Sequence, residues 1–170
     1  MEKAKILKRF SRYGKAESAI TVFAVACCLV SFGLFFTGGV GNPGGDSLPS
    51  FKIAFDVRAD GLHFNAAAFF AHLLPLICGA VMLLPLKERK WFIIPAGVLL
   101  VSAVIQFSML DVFLLKYSED VAAMYLKGGT AIRGETQVAG VFSILAATLA
   151  AVKCIYPWIA GYAKKQEVGK

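Results

Sequence analysis

Four apolar stretches constrain this 170-residue chain more than any other feature: Ala16–Phe36, Asn65–Leu86, Phe92–Leu115 and Gln137–Ile159, each longer than twenty residues. A helix rises about 1.5 Å per residue, so each stretch is long enough for a hydrocarbon core of roughly 30 Å. Lipid cannot satisfy stray backbone N–H and C=O groups, which forces such segments into helices. The expected fold class is an all-α integral membrane protein, a four-transmembrane-helix bundle with a small β-hairpin-like first outer loop. One membrane domain over 1–170 accounts for the chain, with spans near 16–36, 65–86, 92–115 and 137–159 and outer loops at 37–64 and 116–136.

Charge placement orients the bundle. The net charge is +7 and 58% of residues are hydrophobic. Lys3, Lys5, Lys8, Arg9, Arg12 and Lys15 precede the first span. Lys87, Arg89 and Lys90 lie in the tight second turn, and Lys164, Lys165 and Lys170 follow the fourth span. These segments share one side and hold twelve basic residues, against five in the opposite loops: Lys52, Arg58, Lys116, Lys127 and Arg133. The positive-inside rule then places the N- and C-termini in the cytoplasm of a cell (plasma) membrane protein. Basic residues so distributed act as a topology signal touching anionic lipid, so the bilayer is the expected partner and nucleic acid is not.

The first span has a basic flank, but its apolar run exceeds the h-region of a cleavable signal, so it reads as a retained anchor. Cys27, Cys28, Cys78 and Cys154 all fall inside spans, which excludes a disulfide framework in the outer loops. Adjacent Cys27 and Cys28 diverge by about 100° around a helix and read as small hydrophobes, not ligands. No metal site or cofactor is expected.

In the first outer loop, Thr37 to Asp46 is a glycine-rich, flexible stretch. Phe51, Ile53, Phe55 and Val57 then alternate with Lys52, Ala54, Asp56 and Arg58, a strand period, and Ala59-Asp60-Gly61 supplies a turn before Leu62-His63-Phe64. The expected hairpin forms a lid over helix ends, with a ligand or partner surface as the alternative. In the second outer loop, Ser118-Glu119-Asp120 before an apolar run predicts a capped interfacial helix. Tyr117 and Tyr125 belong at headgroup level on that side, and Trp91, Tyr156, Trp158 and Tyr162 on the other. On the fourth span, Ala139, Ser143, Ala147 and Ala151 form a stripe of small residues that lets a neighbouring helix approach closely.

Polar residues inside spans are costly and mark candidate sites. His72 lies roughly 10 Å below the outer end of the second span, and Gln106 roughly 13 Å below that of the third. Pro75 cannot donate to the carbonyl of Ala71, which frees that acceptor and predicts a kink. Asp111 sits nearer the rim, where Glu135 and Gln137 begin the fourth span. His72, Gln106, Asp111, Glu135 and Gln137 are therefore a candidate polar pocket open to the outside. It would serve either a proton or solute vestibule, since imidazole titrates near neutrality, or a structural His72–Gln106 hydrogen bond with Asp111 and Glu135 meeting loop cations. Lys153 is expected to snorkel to the cytoplasmic headgroups.

There is no H-E-x-x-H, G-x-S-x-G or phosphate-binding glycine loop, and only two histidines, His63 and His72, so no catalytic residues are assigned. Four spans with a strand-bearing first outer loop resemble the claudin-type arrangement. The loop tryptophan motif and cysteine pair of that family are missing here, so the resemblance implies no function. The expected role is a non-enzymatic accessory or interaction subunit of a membrane complex, partnered by other membrane subunits or further copies of itself. The alternative is a small-solute or proton-coupled transporter or channel component built on the polar pocket.

Overall fold

The structure, a computed structural model, describes residues 15–45, 47–58, 61–84, 88–115 and 119–168. Lys3, Lys5, Lys8, Arg9, Arg12, Asp46, Ala59-Asp60, Lys87, Lys116-Tyr117-Ser118 and Lys170 lie outside the described residues. So do the side chains of Lys15, Arg58, His63, Trp158, Tyr162, Lys164 and Lys165.

The main helices are α1 (Lys15–Gly33), α3 (Ala66–Leu83), α4 (Ile93–Phe107) and α7 (Gly134–Val168). A 3-10 turn over Arg89–Phe92 leads into α4. Four helices are long and apolar enough to cross a membrane, over Ala16–Gly33, Ala66–Leu83, Arg89–Phe107 and Gly134–Tyr156. They alternate in direction. α7 packs on α1 and α4, and α3 packs on the same two, so α1 faces α4 and α3 faces α7 across the diagonals of the bundle.

Three helix boundaries differ from the apolar runs, each for a local reason. α1 stops at Gly33, and the chain tightens as Phe35 N donates to Phe32 O at 3.0 Å. α3 is started by Asn65, whose side chain accepts from Ala68 N at 3.1 Å and donates to Val112 O at 3.1 Å. The third stretch is interrupted at Ser108, and a separate short helix, α5 (Met109–Leu114), follows.

A small cap covers one end. Strands β1 (Gly39–Gly41), β2 (Ser47–Pro49) and β5 (Ala131–Ile132) form an antiparallel sheet in the order β2-β1-β5. The glycine-rich stretch expected to be flexible therefore supplies its central strand. Gly39 adopts φ +146°, and a Cβ there would lie 2.0 Å from the Leu48 carbonyl oxygen, so only glycine fits. Thr136, at the start of α7, locks the sheet to the bundle. Its hydroxyl accepts from Gly39 N and donates to Gly39 O at 3.0 Å.

The expected hairpin exists but is shorter than its sequence period. β3 (Phe55–Arg58) pairs with β4 (Gly61–Phe64) in the register Phe55↔Phe64, while Ser50–Ala54 forms a helical turn, α2. Ile53 and Ala54 are both fully buried, which a strand with one face turned outward would not allow. A helix stands where the capped one was expected, α6 (Glu119–Lys127), with Tyr125 edge-on to Phe113 at 5.2 Å.

Two apolar clusters fill the interior. Phe35, Val40, Ile53, Ala68, Met109 and Phe113 lie beneath the cap. Ala24, Cys28, Cys78, Met82, Phe92, Leu99 and Ala147 lie toward the opposite, basic end.

Candidate functional site

Between the two apolar clusters lies a layer of neutral polar side chains: Ser31, His72, Ser102, Gln106 and Ser143, all fully buried. Its origin is Pro75. The proline lacks an N–H, so the Ala71 carbonyl one turn earlier has no helical donor. Two side chains of α4, one turn apart, replace it: Gln106 Nε2 donates to Ala71 O at 2.8 Å, and the Ser102 hydroxyl donates to the same oxygen.

That contact fixes the whole network. A carbonyl only accepts, so the atom of Gln106 facing Ala71 must be nitrogen, which orients the amide. Gln106 Nε2 also donates to Ser31 Oγ at 3.1 Å, and Ser143 Oγ donates to Gln106 Oε1 at 3.0 Å. Ser143 has one hydroxyl proton, already used, so the 2.9 Å contact with Ser31 must carry the proton of Ser31. The result is a closed ring, Gln106 to Ser31 to Ser143 and back, joining α4, α1 and α7. Each donor in such a ring polarises the next.

His72 sits beside this ring. Its Nδ1 is 3.3 Å from the Ser31 carbonyl, which is free because Phe35 N has turned to Phe32. Nδ1 therefore carries the proton, and Nε2 is left as an acceptor with no hydrogen-bond partner among the described residues. The Phe35 ring lies 5.1 Å away, tilted over the imidazole. The expected direct His72–Gln106 hydrogen bond is replaced by Ser31, which serves one residue with its carbonyl and the other with its hydroxyl.

The remaining members of the expected pocket are elsewhere. Asp111 and Gln137 are exposed, and Glu135 is half-buried and takes two hydrogen bonds from Arg133, with Nε at 3.2 Å and Nη2 at 2.5 Å. His72 and Gln106, by contrast, are fully buried. A cleft of about 470 Å³ does open in the cap, beside Gly41, Asn42, Ser47, Gly129 and Arg133, but none of the five lines it.

A second, charged layer lies at the basic end. Glu17, 1% exposed, accepts from Arg89 at 2.7 Å through Oε2, while its Oε1 is buried with no partner among the described residues. Lys153 does not snorkel outward. It is 2% exposed, its Nζ donates to Met82 O at 3.0 Å, and it lies 4.0 Å above the Phe92 ring. Met82 is next to the last residue of α3, where carbonyls lack helical donors, so the ammonium caps that end. Sequence reasoning passed over Glu17, Ser31 and Ser102. The carbonyl freed by Pro75 was the one available pointer to Ser102.

Of the small-residue stripe, Ala139, Ser143 and Ala147 are buried and Ala151 is partly buried against the core. Gly140 belongs to the same close approach: a Cβ there would lie 2.7 Å from the Phe107 ring. Among the described residues no three His, Cys, Asp or Glu side chains converge as metal ligands. Comparison with protein-family models, curated proteins and solved structures found no match to this chain.

Proposed function

We propose that this chain is a multi-pass cell-membrane protein acting as a non-enzymatic accessory or interaction subunit, with both termini in the cytoplasm and the cap outside. The observation that supports this reading is the closed ring at the bundle centre. Gln106, Ser31 and Ser143 satisfy one another, so the donors and acceptors of the ring are turned to each other and not toward a solute. Ten residues of helix, about 15 Å, separate Ser143 from Lys153, and buried Ala146, Ala147 and Ala150 occupy that interval. A transport path would have to break both the ring and this apolar layer.

Purification from native membranes in mild detergent should retain a second membrane polypeptide in fixed stoichiometry. The chain reconstituted alone should move neither protons nor small solutes across vesicles. A lone chain that conducts would overturn the proposal. Orientation is tested with Ser47→Cys in a cysteine-free background, where an impermeant thiol reagent should label from outside. Labelling only from the cytoplasmic side would reverse the assignment.

One observation favours a proton-coupled transport component as a second reading: the buried Nε2 of His72, which has no hydrogen-bond partner among the described residues. That reading requires a pH-dependent flux abolished by His72→Gln, since an amide does not titrate.

A further inference from the structure

Six phenylalanines form an unbroken chain of ring contacts along one side of the cap end. Phe36 meets Phe51 at 6.0 Å, Phe51 meets Phe55 at 5.3 Å, and Phe55 meets its cross-strand partner Phe64 at 5.5 Å. Phe64 then meets Phe69, and Phe69 meets Phe70, each at 5.4 Å. Four of them face outward: Phe36 is 55% exposed, Phe51 44%, Phe64 52% and Phe70 44%. The face thus runs from the end of α1 across α2 and the β3–β4 hairpin to the first turns of α3.

We infer that this face is a lipid-embedding surface, which sinks α2 and the base of the hairpin among the acyl chains of the outer leaflet. The inference rests on the membrane reading above and deepens it. Continuity selects lipid as the occupant. On α1, Val22 and Leu29 are exposed seven residues apart, with exposed Phe36 just beyond the helix end, and on α3, Phe70 and Ile77 are exposed at the same spacing, with exposed Leu84 as the residue that ends it. Residues seven apart share a helix face, so the phenylalanine face prolongs two stripes that the spanning helices already present to lipid. Chemistry agrees. Interfacial belts favour Trp and Tyr because one end of the ring is wet, as with Trp91 at the basic end, where Lys90 lies 5.9 Å from the indole. Phenylalanine has no polar handle and belongs deeper, in hydrocarbon. Lys52, exposed beside Phe51, is long enough to reach the headgroups from that depth.

The test uses the full chain in phosphatidylcholine vesicles. Trp91→Phe and Trp158→Phe remove the native indoles, and single tryptophans are then placed by Phe51→Trp, Phe64→Trp and, within the third span, Val104→Trp. Val104 is 64% exposed and serves as the lipid-facing reference. Lipids brominated on their acyl chains should quench positions 51 and 64 as strongly as position 104, and aqueous acrylamide should quench none of them. Quenching of 51 and 64 by acrylamide alone means that the cap stands in water. Quenching by neither means that protein covers the face, a second copy or a partner. Either result overturns the inference while leaving the spans intact. Loss of bromolipid quenching at position 104 itself would instead remove the membrane reading and the inference with it. Should one cap variant fail to fold, the other decides, with Phe36→Trp as a third position.

Discussion

The two buried polar layers solve the same problem with different chemistry. At the bundle centre the groups are neutral, and the Gln106, Ser31 and Ser143 ring uses the donors and acceptors it contains. At the basic end they are charged: Glu17, Arg89 and Lys153, with one Glu17 oxygen unpartnered among the described residues and the ammonium donating to a helix-end carbonyl. If the four helices cross a bilayer as proposed, hydrocarbon surrounds the central layer at every azimuth, which favours neutral groups that satisfy one another; among the described residues His72 Nε2 is the exception. Near the end of the bundle, free helix carbonyls and the aromatic face of Phe92 hold the cation in place. Depth, more than composition, decides which kind of polar group a span can carry.

If the charged layer depends on mutual compensation, breaking it should cost most. Glu17→Leu leaves Arg89 and Lys153 without the carboxylate and should destabilise by about 3 kcal/mol, the low end for an uncompensated buried charge because Arg89 is a third exposed. Equal unfolding midpoints for variant and wild type in detergent would mean that the cations are compensated elsewhere.

The neutral layer should respond less, because each bond within a membrane contributes only about 0.6 kcal/mol. Gln106→Leu removes three at once and leaves the Ala71 carbonyl with the Ser102 hydroxyl alone, so a loss of about 2 kcal/mol is expected. A loss as large as that of Glu17→Leu would show that the closed ring carries cooperative energy beyond its separate bonds.

Ala147→Leu probes the apolar layer that keeps the two apart. At 2% exposure the extra atoms have nowhere to go, and overpacking should cost about 1.5 kcal/mol. Val141→Leu, on the exposed face of the same helix, should be nearly neutral. Matching thermal stabilities for Ala147→Leu and wild type would rule out close packing at that position.

How much of this could be read in advance depends on whether the determinant is local. The four long helices follow from apolar length alone, since lipid permits nothing else. The β2-β1-β5 sheet does not, because β1 pairs with β5 across about ninety residues and the glycines that permit it look like a flexible turn. The hydrogen-bonding roles of Ser31 and Ser143 were illegible for another reason, although Ser143 was legible as a packing residue. A hydroxyl in a helix can bond its own preceding turn, as Thr21 does to Glu17 O and Thr148 to Ile144 O, so residue type alone cannot reveal which ones reach across. Lys153 carried the same ambiguity: a flexible stem reaches inward or outward, and only the nearby end of α3 decides.

The smallest effect belongs to the most conspicuous residue. From depth alone, His72→Leu would strand Gln106 and cost up to about 2 kcal/mol. In the structure Gln106 keeps all three of its partners without the histidine, and only the Ser31 carbonyl loses its donor. A loss of about 0.6 kcal/mol is therefore expected for His72→Leu. His72→Gln, which restores an N–H of similar reach, should recover most of it. Unfolding measurements on both variants and on Gln106→Leu separate the alternatives. If His72→Leu proves as damaging as Gln106→Leu, the imidazole belongs to the ring energetically, and its free Nε2 has a partner that stabilises the fold. If it is nearly silent, the central layer is a three-residue device with a histidine seated at its edge.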